Sequence, residues 1–161
     1  MKDLVKVKSI KEIKDIVLKL KKEKKTIVFT NGCFDLLHPG HIKILKKAKQ
    51  LGDVLILGLN SDFSIKRLKG KSRPILNQNA RLEILSAISY IDYIVLFNQT
   101  TPLNLIKMIK PDYLVKGGDY KEDEIVGREY AKKIVRVNLY KGYSTSKIIE
   151  KIKNETIVKS N

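Results

Sequence analysis

The sequence predicts an α/β fold, a doubly wound parallel sheet of five strands with helices on both faces. Three observations carry this. Apolar runs of strand length alternate with amphipathic helical stretches along the chain. The connections between them are short. The residues with chemical potential follow strands, at the rim where open parallel sheets bind ligands.

The elements read in order. From about Ser9 to Lys25, Ile10, Ile13, Ile16, Val17 and Leu20 recur at helical spacing. Ser9 is the N-cap, and Glu12 completes a capping box. Thr26 to Phe29 or Thr30 is the first strand, apolar between its ends as a buried parallel strand is. A helix runs from Pro39 to about Leu51, with Ile42, Leu45, Ala48 and Lys49 along its buried stripe and Gly52 as its C′ residue. Val54 to Leu59 is the second strand, and Asn60 or Ser61 caps the helix after it. The cation-dense stretch from Lys66 to Pro74 reads as a mobile loop. A helix from about Asn79 to Ser89 and a third strand from Ile91 to Phe97 follow. Thr101 as N-cap and Pro102 at the first position open a helix to about Ile109. Asp112 to Val115 is the fourth strand, ending in Lys116-Gly117-Gly118-Asp119. A short helix from about Asp123 to Lys132, a fifth strand from Lys133 to Asn138, and a helix from Ser144-Thr145-Ser146 to about Lys153 complete the set. Glu155 to Asn161 reads as a loose tail. The alternation makes the sheet Rossmann-like.

A chain of 161 residues is one domain by size. Its net charge of +16 points toward anionic partners. The lysines, however, are spread along the chain, which fits a solvated surface with a few cations at a site. A basic nucleic-acid-binding module without catalysis would cluster arginines and stacking aromatics, and this chain does neither. The single cysteine, Cys33, forms no intramolecular disulfide and reads as a half-buried residue lending backbone to the key loop. No signal peptide or membrane-length apolar run appears, so the expectation is a soluble cytoplasmic protein with neither membrane nor nucleic acid as partner.

The stretch Thr30 to His41, TNGCFDLLHPGH, organises the rest. Pro39 suits the first helical position, and the residue before a proline avoids helical angles. His38 is therefore the extended residue at the helix entrance, and His41 lies in the first turn. Both flank unpaired N–H groups at a positive dipole end, an anion site that Gly40 leaves open to close approach. A single first-turn histidine is usually only a surface residue. Here both histidines of the chain share one turn directly after a strand.

The chain has no G-x-S-x-G elbow, no P-loop and no G-x-G-x-x-G. It shows no Cys/His metal-ligand cluster. What remains is a cleft of donors and cations, which suits phosphoryl-type transfer, where positioning and charge stabilisation do the work. His38 and His41 supply donors, while Lys69, Lys71, Arg73 and Arg81 supply cations for a leaving group or an incoming phosphate.

His38-x-Gly40-His41 after Phe34-Asp35 resembles the H-x-G-H nucleotidyltransferases. The longer segments FTNGCFDLLHPGHIKILKKAKQLGD, GLNSDFSIKRLKGKSRPI, KPDYLVKGGDY and GYSTSKIIEKI are most similar to the heptose-1-phosphate adenylyltransferase family, the ADP-heptose synthase domain of lipopolysaccharide precursor synthesis. The resemblance covers nearly all of the chain after the first helix and implies a single nucleotidyltransferase domain. It implies ATP and D-glycero-β-D-manno-heptose 1-phosphate as substrates, Mg²⁺ carried by the nucleotide phosphates, no protein-bound metal, a homo-oligomer and a separate upstream heptose kinase.

Carried over, Phe29, Thr30, Asn31, Gly32, Cys33 and Phe34 line the nucleotide, with His38, Gly40 and His41 at its phosphates. His38, His41, Lys69 and Arg73 are the catalytic set. Gly117, Gly118 and Asp119 contact the nucleotide, and Ser144 and Thr145 grip its outer phosphates, although plain N-capping explains hydroxyls there equally well. Asp62, Lys69, Lys71, Arg73 and Arg81 meet the sugar phosphate. Glycerol-3-phosphate cytidylyltransferases share much of the first segment but carry an arginine before their S-T pair. Here Tyr140-Lys141-Gly142-Tyr143 stands instead, with Lys141 or Lys147 as substitutes for the charge. That family, with CTP, is the alternative, together with other sugar-phosphate nucleotidyltransferases.

Overall fold

A computed structural model describes residues 5–118, 122–138, 140 and 142–158. α1 (Ile10–Lys22) begins at Ser9, whose side chain accepts from Glu12 N while Glu12 reaches back to Ser9 N. β1 (Ile27–Gly32) leads to α2 (Pro39–Lys49), and β2 (Val54–Asn60) leads to α3 (Asp62–Lys69), capped by Ser61. α4 (Gln78–Ser86), capped by Asn77, precedes β3 (Tyr93–Phe97). α5 (Leu103–Ile109), β4 (Tyr113–Gly117), β5 (Lys133–Val137) and α6 (Thr145–Val158) follow.

The five strands form one parallel sheet in the order β3-β2-β1-β4-β5. Alternation along β1 divides the core. Ile27 and Phe29 pack with α1 and α5 on one face. Val28 packs with Leu45 and Ala48 of α2 and Leu82 and Leu85 of α4 on the other. The strand order reverses between β1 and β4, so their carboxyl ends part around a crevice.

Several expectations are corrected. Helix α5 starts at Leu103, because Pro102 is the buried N-cap with φ −82° and ψ 11°, and Thr101 caps nothing. The helix expected over 123–132 is two 3₁₀ turns, Glu122–Glu124 and Arg128–Tyr130. Gly127 separates them at φ +81°, where a Cβ would strike Ile106. Gly52 is not a left-handed C′ residue. The helix ends at Gln50, and Gly52 is needed because a Cβ there would lie 2.8 Å from Thr26 O. Lys49 earns its half-buried place on the stripe through Asp92 Oδ2, 2.6 Å away. Residues 155–158 continue α6 rather than loosening. Among the described residues no helix is long and apolar enough to cross a membrane.

Candidate active site

The crevice is built from the loop between β1 and α2. His38 is extended, at φ −142° and ψ 167°, and caps α2 with Pro39 inside the first turn. Its Nδ1 accepts from Gly40 N at 3.1 Å, so the neutral ring carries its proton on Nε2. A Cβ on Gly40 would sit 2.8 Å from the His38 ring, so only glycine lets the turn close. His41 stacks on His38 with centroids 3.8 Å apart and also contacts Phe34. Burial lowers the pKa of both imidazoles. For His41, with His38 and Lys69 adding to the effect, it falls to about 4. The pair is neutral at pH 7.

Phe34 and Leu36 adopt left-handed φ values of 47° and 48°, an uncommon conformation for such side chains. Two buried charges hold the loop in that shape. The Arg81 guanidinium, 1% exposed, donates to Cys33 O (2.7 Å), Asn60 O (2.8 Å), Leu76 O (3.0 Å) and Asp62 Oδ1 (2.7 Å). It thereby ties the ends of β1 and β2 to the start of α4. Asp35 accepts from Ile75 N (2.8 Å) and Leu76 N (3.0 Å), and Thr145 Oγ1 donates to its backbone carbonyl at 2.8 Å. Four segments thus meet at one loop.

A cavity of about 170 Å³ opens here, lined by Gly32, His41, Lys69, Arg73, Gly117 and Thr145 among others. Arg73 Nε lies 3.6 Å from Asp35 Oδ2, too far for a hydrogen bond, and is a buried donor without a partner. His41 Nδ1 is likewise buried and unpartnered. Neutral donors flanked by cations fit an oligophosphate, with charge on the outer oxygens and fixed dipoles at the reacting centre.

The structure separates the residues expected from sequence. Thr30, Asn31, Gly32, Cys33, Phe34, His41, Lys69, Arg73, Gly117 and Thr145 share the cavity, with His38 stacked behind His41. Thr30 Oγ1 is committed to Val115 O at 2.9 Å and binds β1 to β4. Gly117 gives room to Ile44, and Gly118 takes φ 110°. Ser144 accepts from Lys147 N at 3.2 Å, so it caps α6, while Thr145 combines cavity lining with its bond to Asp35. Burial pushes the Cys33 thiol pKa up, away from nucleophilic use, and its carbonyl serves Arg81.

Two assignments are corrected. Phe29 is fully buried in the core, so its side chain lines no nucleotide. Arg81 is sealed among protein partners and braces the site instead of holding sugar phosphate, with Asp62 as its counter-ion. Lys71 is exposed in the turn after α3. Asp119 and Lys141 lie outside the described residues. Sequence reasoning missed Asp35 as the clamp of the 75–76 backbone and Lys116, whose ammonium donates to Asn31 Oδ1 on the cavity wall. The only local signal for Lys116 was its place at the end of an apolar strand.

The family follows from residues 29–151, which match the cytidylyltransferase-like family. The chain belongs to that family. This cytidylyltransferase-like chain is 53% identical over 148 residues to bifunctional protein HldE of Campylobacter jejuni serotype O:6 (strain 81116), covering 92% of this chain and 32% of that protein. It is 59% identical over 133 residues to bifunctional protein HldE of Helicobacter hepaticus, covering 83% and 28%. The chain therefore spans about a third of the length of the curated relatives it matches. Among solved structures, the lipopolysaccharide core biosynthesis protein of Thermoplasma volcanium superposes with TM-score 0.62 at 33% identity, covering 72% of this chain and 98% of that one. Pantoate–β-alanine ligase of Francisella tularensis also superposes with TM-score 0.62, at 18% identity, covering 87% and 68%. That second likeness speaks to the fold alone.

Proposed function

We propose that this chain transfers the adenylyl group of ATP to D-glycero-β-D-manno-heptose 1-phosphate, giving ADP-heptose and pyrophosphate. The observation that carries the chemistry is the stacked, neutral His38–His41 pair at the N-terminus of α2, with His41 beside Lys69 and Arg73 in one cavity. The sugar is supported by identity to the HldE proteins over 92% of the chain and by the KRLKG and VKGGDY segments.

An acceptor phosphate oxygen forms a bond to the α-phosphorus in line with the bridge to the β-phosphate. That bridge bond breaks, and its electron pair leaves with pyrophosphate. The attacking oxygen is already anionic, so no general base is required. Charge develops on the α-phosphate oxygens, where imidazole N–H groups and the positive end of the α2 dipole stabilise it. Lys69 and Arg73 meet the leaving pyrophosphate. Asp35, which lines the cavity, is committed to backbone amides, and Asp62 is committed to Arg81. Magnesium therefore enters on the triphosphate as part of the substrate. The reaction takes place in the cytoplasm with a heptose 1-phosphate supplied by a heptose kinase, in a homo-oligomer of this chain.

The test is product analysis by anion exchange and mass spectrometry after incubation with ATP, heptose 1-phosphate and Mg²⁺. ADP-heptose with equimolar pyrophosphate supports the reading. Unchanged sugar phosphate opposes it.

A further inference from the structure

A second cavity, about 360 Å³, adjoins the first and shares Asn31, Gly32, Cys33, Lys69 and Gly117 with it as a wall. Asn60, Thr100, Lys116 and Glu124 line its far side, and neither histidine does. It lies within the size range of small-ligand pockets. Leu68, Pro102, Ile125 and Val126 form its apolar wall, and its polar groups are amides, hydroxyls and charges of both signs, groups that can recognise a polyhydroxylated anion. Lys116 is the penultimate residue of β4, and its ammonium donates to a neutral partner, Asn31 Oδ1. Holding a cation half-buried against an amide is costly, and an anionic ligand offsets that cost. In-line displacement adds a directional requirement. On the proposed reaction the leaving pyrophosphate lies toward Arg73, so the nucleophile arrives from the opposite side of the α-phosphorus. Neither Arg73 nor Thr145 lines the second cavity, which is the space left for the nucleophile.

We propose that Lys116 is the acceptor-binding residue of this site: its ammonium holds the phosphate of the incoming sugar phosphate, and the surrounding amides and hydroxyls hold its hydroxyl groups. This rests on the adenylyl-transfer reading for the identity of the acceptor. Lys116 leaves the nucleotide untouched, so its loss weakens one substrate only.

The experiment compares wild type, Lys116→Met and Lys116→Gln. The glutamine variant retains an amide next to Asn31 and serves if the methionine variant does not fold. Steady-state kinetics are measured with ATP and heptose 1-phosphate varied in turn. Calorimetry then measures binding of heptose 1-phosphate in the presence of an α,β-methylene ATP analogue. Acceptor KM and Kd rise at least about tenfold on loss of a charge-assisted bond, and the KM for ATP stays within about twofold. Unchanged acceptor affinity in both variants overturns the assignment, as does an equal loss of ATP affinity. Turnover by wild type with unchanged acceptor affinity in the variants overturns Lys116 and keeps adenylyl transfer. Lys116-dependent binding without turnover by wild type keeps Lys116 as the sugar-phosphate ligand and overturns adenylyl transfer.

Discussion

The rings of His38 and His41 stack at 3.8 Å with an interplanar angle of 28°. Two imidazoles at that separation repel if both are protonated, and burial already disfavours the charged form. They are therefore placed to serve as neutral hydrogen-bond donors, not as a cationic clamp. His41→Ala should lower kcat by about 10²–10³-fold while leaving the KM for ATP nearly unchanged, the behaviour of a donor aimed at transition-state charge. His38→Ala should lower kcat similarly and also cost about 1 kcal/mol of stability by removing the cap of α2. Steady-state kinetics paired with denaturant titration separate the two effects.

The depressed His41 pKa also fixes the sign of an acid effect. Above pH 6.5 the ring is neutral in folded and unfolded chains and contributes no pH dependence. Between about 6.5 and about 4 the unfolded chain takes up a proton that the folded chain refuses, so stability falls with pH. His41→Gln should flatten this part of the stability profile, read from urea midpoints at pH 7 and pH 5.

Arg81 is a brace, so its removal should unfold before it merely disarms. Arg81→Met leaves Asp62, Cys33 O and Asn60 O without their donor and should cost about 3–5 kcal/mol. Arg81→Lys should recover little, because one ammonium cannot span the same partners. A variant with wild-type stability and a raised acceptor KM would return Arg81 to the role of ligand.

Lys116 should give an alkaline limb. Burial lowers its pKa to about 8. Below that pH it is charged and holds an anion. Above it, kcat/KM for the sugar phosphate should fall while kcat/KM for ATP does not. Lys69, Glu124 and Cys33 are the other ionisable groups of that cavity. Lys116→Met should abolish the limb if Lys116 is its source.

The sheet and the histidine turn were legible because local chemistry dictates them. A proline at the first helical position forces His38 to be extended, and serine hydroxyls at Ser9, Ser61 and Ser144 cap the helices they precede. The braces were not legible. Arg81 meets Cys33 across 48 positions and Asp35 meets Ile75 across 40, and no periodicity records such pairings. An arginine in a phosphate-binding sequence context reads as a ligand until its burial is known. Lys116 was hidden for a similar reason, since an apolar strand does not show which cavity its last residues line. Gly127 was the missed punctuation, splitting the expected helix over 123–132 into two turns.

The most direct measurement is pyrophosphate release from ATP and from CTP, each offered with heptose 1-phosphate and with glycerol 3-phosphate in the presence of Mg²⁺. Adenylyl transfer to a heptose requires turnover with ATP and heptose 1-phosphate and little with the other three pairs. Turnover with CTP and glycerol 3-phosphate would contradict the substrate assignment, and silence in all four would contradict the catalytic role of the histidine pair.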